Sequence, residues 1–240
     1  MNKQPGIPDT SGMTVAELVI AHPGALSVFT KYNIDYCCGG NRSLEDACIR
    51  AGLDHEKIRK EIMSAPVQES SIPPRVEQWS AGLLADYIVQ NHHAYVKKAI
   101  PEIQALLEKV CMAHGEENIE LLSIQQDFED LADELLGHMN KEEMALFPAI
   151  KRLEEHDDAR HPLAANLQAP IGVMEQEHVV AGDLVKSIRS SSNNYTVPAY
   201  ACPTYRVTYE KLREFDQDLM THVHLENNIL FKRASQGAGN

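Results

Sequence analysis

The chain has too few cations to bind a polyanion well. Lys and Arg total 22 against 35 Asp and Glu, a formal charge of −13. That balance argues against a phosphate backbone or an anionic membrane surface as the main partner and suits a cation binder. Long apolar runs are also missing. No stretch approaches the ~18 to 20 residues of a membrane span, and the opening MNKQPGIPDTSG holds no signal-peptide core. These absences lead us to expect a cytoplasmic protein, with neither nucleic acid nor membrane as a partner. Cysteine is sparse, and its count of five is odd. An even disulfide framework is therefore excluded, and two adjacent thiols point to redox or metal chemistry. The Val/Ile/Thr alternation of β-strands is absent as well.

What is present is helical periodicity in two blocks. With 240 residues, 43% of them hydrophobic, the chain can bury one large core and add a small domain. In the first block Thr14 caps VAELVIAH, Pro23 opens GALSVFTKY, Ser43 caps LEDACIRAG and Asp54 caps HEKIRKEIM. The Pro- and Ser-rich PVQESSIPPR then reads as a linker. The expected organisation is a small helical domain over 1–66, a linker over 67–78 and a helical bundle over 79–240. Four longer patterns follow, at about Ser80–Ala113, Asn118–Glu155, Pro170–Ser191 and Pro203–Arg233. Leu83, Leu84, Tyr87 and Ile88 in the first, and Leu212, Phe215 and Leu219 in the last, recur at helical spacing. The fold class is all-α, with a C-terminal four-helix bundle. Pro101 and Pro148 should kink or end their helices, the segment Asn193–Pro203 should be a polar loop, and the tail SQGAGN should lack order.

Two of the long helices repeat one pattern. His138-Met-Asn-Lys-Glu142 leads to Leu146-Phe147, and His222-Val-His-Leu-Glu226 leads to Leu230-Phe231, so both read H-x3-E-x3-L-F. Each helical residue advances ~100°, so residues four apart differ by only ~40° and project from one face. The Leu-Phe pairs turn those faces inward, where a buried imidazole and carboxylate need partners. The other two helices each offer one candidate, His92 in DYIVQNHHAYV and His178 in IGVMEQEHVV. Such contributions converge at mid-bundle in carboxylate-bridged dimetal proteins. The expected site has Glu142 and Glu226 bridging two iron ions, each ion holding two of His92, His138, His178 and His222. With an oxo or hydroxo bridge from solvent, a sixth position stays open on each metal for a small molecule. Imidazole and carboxylate also accept manganese and zinc. His93 and His224 neighbour, or lie two residues from, a candidate, where helical rotation turns them away; Glu143 is set aside on the same ground. His22, His55, His114, His156 and His161 read as solvated. Glu134, one turn before His138, and Glu177, next to His178, are candidate outer acceptors or relays into the site.

In the first block Asp35-Tyr36-Cys37-Cys38-Gly39-Gly40 precedes the helix capped by Ser43. The positive end of that helix should lower the thiol pKa values. Adjacent cysteines bond only through a strained ring, so an exchangeable pair or a transient hold on iron or nitric oxide is expected. Cys48, Cys111 and Cys202 read as packing residues.

On these residues the chain resembles the iron-sulfur cluster repair di-iron proteins, the Repair of Iron Centers family. DYCCGG resembles that family's N-terminal domain; HMNKEE, LFP, VMEQEH and HLENNILF resemble its hemerythrin-like domain. The resemblance implies iron ligands at His92, His138, Glu142, His178, His222 and Glu226, acidic channel residues at Glu134 and Glu177, and the cysteine pair at Cys37 and Cys38. Where the family often has Tyr-His-x-x-His, this chain has Asn91-His92-His93-Ala94-Tyr95, which leaves the register between His92 and His93 open. The implied function is repair of clusters damaged by nitric oxide or oxidants, with damaged iron-sulfur proteins as partners. The route is either iron donation through Cys37 and Cys38 or nitric oxide reduction or transfer at the metal. The competing reading is a hemerythrin-like carrier or sensor of dioxygen or nitric oxide. A homodimer is compatible with either.

Overall fold

The computed structural model describes residues 12–22, 24–65, 72–155 and 162–236, side chains 162–165 and 236 excepted. Pro23, Pro66, residues 67–71 of the expected linker, His156, His161 and residues 237–240 of the tail lie outside the described residues. The chain divides into two compact units, Met1–Gln78 and Trp79–Asn240.

The first unit contains α1 (Val15–Ala21), α2 (Gly24–Lys31), α3 (Leu44–Ala51) and α4 (His55–Ser64). Their starts follow from short polar side chains that satisfy free amides. Thr14 and Glu17 form a reciprocal capping box on α1. The hydroxyl of Ser43 accepts from the Asp46 amide, and the Asp54 carboxylate accepts from the amides of Glu56 and Lys57. Gly52 ends α3 at φ 67°, in the left-handed region that favours glycine. Val15, Leu18, Phe29, Cys48 and Ile58 are fully buried and form this unit's core.

The second unit is built on four long helices. α5 (residues 81–114) joins Ala81–Ile88, a π-helical turn Val89–His93 and Ala94–His114. α6 (residues 120–154) joins Glu120–Lys141, the π turn Glu142–Leu146 and Phe147–Glu154. α7 is Pro162–Ser191. α8 (residues 203–236) joins Pro203–Leu225, the π turn Glu226–Leu230 and Phe231–Gln236. Among the described residues, the only β-pairing is one isolated bridge between Thr14 and Ser43.

The prolines depart from expectation. α7 begins eight residues before Pro170, because Leu167 continues the buried row Ile171, Met174, His178, Ala181, Val185 and Ile188, and Pro170 itself is exposed. Pro101 is also exposed, and α5 runs through it. On a solvated face the carbonyl that a proline leaves unbonded can turn to water. Pro148 is the second residue beyond the π turn of α6, and the helix runs on through it to Glu154.

Candidate metal centre

The π turns bring the site together. Each lengthens the local hydrogen-bond spacing and slips the phase of the helix that follows. On α5 the buried row Ala81, Leu84, Ala85, Ile88 and His92 is in phase up to the turn. The row His93, Val96, Ile100, Ile103 and Leu107 is in phase beyond it. Both histidines are therefore buried, one at the end of each row, and they face different neighbours.

Two groups of side chains converge at mid-bundle: His93, His222, Glu142 and Glu226, and His138, His178, Glu142 and Glu226. Within each group one donor atom per residue lies within 4.8 Å of the others. Glu142 turns Oε2 toward His93 Nε2 (3.3 Å) and Oε1 toward His138 Nε2 (3.3 Å). Glu226 turns Oε1 toward His222 Nε2 (2.8 Å) and His93 Nε2 (3.8 Å), and Oε2 toward His178 Nε2 (3.1 Å). Each carboxylate thus offers one oxygen to each histidine pair, the arrangement of a bridging ligand.

The outer edges of these rings set their protonation. His93 Nδ1 donates to Glu143 at 2.7 Å, His138 Nδ1 to Glu177 at 2.9 Å and His178 Nδ1 to Asn227 Oδ1 at 2.8 Å. Because those partners can only accept, a ring proton sits on Nδ1 and Nε2 points inward, where metal can replace any second proton. Nε2 of His138 and Nε2 of His178 then face each other at 2.9 Å, beside two carboxylates that are 0% exposed. Neither oxygen of Glu142 has a hydrogen-bond partner among the described residues. Facing ring nitrogens and buried anions call for positive charge between them, supplied by ring protons or by metal. Burial opposes a charged imidazole, yet Glu142 and Glu226 hold His93 up to about 10 and His138 up to about 9. Burial pushes His222 down. Burial also favours neutral Glu226, but the imidazoles, His222 foremost, hold it well below the usual carboxylate range. A nitrogen and carboxylate donor set of this kind, with the Nε2 atoms already directed inward, fits a pair of divalent first-row metal ions.

In the first unit the adjacent thiols lie 3.6 Å apart and are not joined by a disulfide. Cys37 Sγ donates to Asp35 Oδ1 at 3.3 Å, and the same oxygen accepts from the amides of Cys38 and Gly39 at 3.0 Å each. Asp35, Cys37 and Cys38 form a third group of possible ligands.

The family model for the Hemerythrin HHE cation binding domain matches residues 84–234, and that for a domain of unknown function (DUF542) matches residues 11–66. The iron-sulfur cluster repair protein YtfE of Enterobacter sp. (strain 638) is 36% identical, over 93% of this chain and 96% of its own length. The protein of the same name from Escherichia coli O157:H7 gives the same figures. A probable iron-sulfur cluster repair protein from Haemophilus influenzae is 36% identical over 91% of this chain and 95% of its own. The chain belongs to the iron-sulfur cluster repair protein family. All six residues of the two mid-bundle groups fall within its cation-binding domain, and the cysteine pair falls within the region matched at the N-terminus.

Within this family member the structure revises several positions. The inner imidazole of α5 is His93, not His92, because the π turn breaks the regular helix on which the spacing argument relied. His92 Nδ1 instead donates to Asp218 Oδ1 at 2.9 Å. Glu177 reaches across to His138 rather than to its neighbour His178, and it also pairs with Lys141. Glu134 is exposed and belongs to neither group. Glu143, which helical rotation alone would turn away from the site, accepts from both His93 and Lys97; no local pattern marks Asn227 or Asp218. The register that the sequence leaves open between His92 and His93 follows the slip between the α5 rows. His224 is buried outside the groups, beside Asn228.

The cysteines also depart from expectation. Burial, then Cys38 and Asp35, pushes the Cys37 thiol well up rather than down. Ser43 already caps α3, while the loop gives the carbonyls of Arg42 and Gly40 to the first amides of α1. His114, read as solvated, lies with Nε2 3.3 Å from Cys202 Sγ, at the start of α8.

Proposed function

We propose that the bundle binds two iron ions and that the protein restores iron-sulfur clusters damaged by nitrosative or oxidative stress. One ion would be held by His93 and His222, the other by His138 and His178, with Glu142 and Glu226 shared between them. The observation that carries this reading is the division of each buried carboxylate between two histidine pairs. Relatives aligned over nearly the whole chain are named for iron-sulfur cluster repair. When bound, the iron pair would supply a labile metal store and a redox couple open to nitric oxide.

The chain's own residues prepare the site. Glu143, Glu177 and Asn227 hold three imidazoles in the tautomer that presents Nε2 inward. Lys97 and Lys141 neutralise the outer carboxylates from the solvent side. Iron leaving the bundle as cargo would be received at Cys37 and Cys38, with Asp35 as a third ligand atom; the raised Cys37 thiol would release its proton as metal binds.

Metal analysis of anaerobically purified protein, in parallel with His222→Ala, tests the centre. Roughly two irons per chain, reduced in the variant, is the expected result; no iron in either protein, with the fold intact, would overturn it. Reactivation of a nitric-oxide-damaged iron-sulfur dehydratase tests the role. The double variant Cys37→Ala with Cys38→Ala should keep its bundle iron and lose most reactivation, whereas normal repair by it would remove the cysteines from the delivery route.

A further inference from the structure

Three of the four inward imidazoles have an outer acceptor on Nδ1; the fourth, His222, differs. Its Nδ1 is buried and has no hydrogen-bond partner among the described residues. One helical turn earlier stands Asp218, and residues four apart on a helix share a face to within ~40°. Asp218 Oδ1 accepts from His92 Nδ1 at 2.9 Å, while Oδ2 is buried without a partner. The His92 ring lies nearly parallel to that of His222, 5.5 Å between centroids and 10° between planes. The ring that binds the Asp218 carboxylate is therefore the one stacked on His222. Once Nε2 is given to metal, His222 Nδ1 is a buried donor and Asp218 Oδ2 a buried acceptor; each is costly alone, and they satisfy one another if joined.

We propose that Asp218 is the outer acceptor of His222, taking its Nδ1–H directly or through one water, and that His92 is the clamp that holds Asp218 in place. The assignment rests on the two-metal reading above and goes beyond it in giving a task to the histidine beside the ligand. Glu143, Glu177 and Asn227 serve the other three imidazoles, and Asp218 completes the set. His92 and Asp218 are positioning residues: they fix the tautomer that leaves His222 Nε2 free to bind metal, and they touch no metal themselves. The rival acceptor is a carbonyl of the same helix, which would leave Asp218 without effect on the centre.

The test uses full-length Asp218→Ala, Asp218→Asn and His92→Phe, the last keeping an aromatic ring against His222. Each is titrated with cobalt(II) against a competing chelator, and folding is followed by far-UV circular dichroism. Asp218→Ala and His92→Phe should weaken one of the two cobalt ions by about 10- to 100-fold and leave the other unchanged. Asp218→Asn, which keeps an acceptor oxygen, should recover much of the loss. Wild-type affinity at both ions in Asp218→Ala and His92→Phe would overturn the proposal while leaving the two-metal reading intact. Absence of cobalt binding by the wild type would overturn both. Should Asp218→Ala fail to fold, zinc-loaded wild type and Asp218→Asn are compared by NMR. A downfield His222 Nδ1 proton that moves on substitution supports the contact, and one that stays put refutes it.

Discussion

His92 and His93 are chemically identical neighbours with different tasks, and their separation sets the sharpest residue-level expectation. His93→Ala should remove an inward lone pair and halve metal content, measured per chain after gel filtration. Glu142→Ala should lose more, since one carboxylate serves both histidine pairs, whereas Glu134→Ala, on an exposed side chain, should retain the wild-type content. The cysteines make a second expectation at this scale. The backbone amide of Tyr205, then His114, lowers the Cys202 thiol, while burial raises that of Cys37. The thiolate is the reacting species, so alkylation by iodoacetamide should begin at lower pH for Cys202 than for Cys37, as read by peptide mass spectrometry. His114→Gln should move the Cys202 profile upward. Sequence located the His138/Glu142 and His222/Glu226 pairs because four-residue spacing is local geometry. It missed Glu143 and Asn227 because their partners come from other helices.

At the scale of elements, helix ends and π turns control where the ligands point. The start of α5 has no acidic residue in its first turn; instead Glu154 of α6 accepts from the amides of Ala81 and Gly82 at 2.6 and 2.8 Å. A carboxylate at a helix N-terminus satisfies free donors and meets the positive end of the dipole. Glu154→Ala should therefore lower stability by about 1–2 kcal/mol, measured by urea unfolding of the metal-free protein. In the first unit, a Cβ added at Gly39 would lie 2.9 Å from the Asp35 carbonyl oxygen and 2.6 Å from Arg42 Nη1. Backbone cannot yield as a side chain can, so Gly39→Ala should distort the cysteine loop and cost about 1–3 kcal/mol, seen as faster labelling of Cys37. The four long helices were legible from their periodicity. The π turns were not, since a single slipped residue reads as a widened apolar face until a structure shows which row each residue joins.

At the scale of the whole molecule, every residue of the two mid-bundle groups belongs to the Trp79–Asn240 unit. Metal that binds only folded protein stabilises it by mass action, about 2.7 kcal/mol at a hundredfold excess over Kd. Differential scanning calorimetry of the full chain should show the bundle transition rise on adding iron(II) or cobalt(II) and fall back with chelator. A transition indifferent to metal would count against a buried centre.

The sequence by itself determined the helical class, the two blocks, the acidic balance and the paired imidazole and carboxylate motifs. Each of these depends on composition or on neighbours within one helical turn. Tertiary structure alone decided that His93 rather than His92 points inward, that Glu177 serves His138, that Asp218 binds His92, and that the Cys37 thiol is buried beside Asp35. Those outcomes depend on phase slips, on side chains brought from other helices and on desolvation. No window of adjacent residues contains that information.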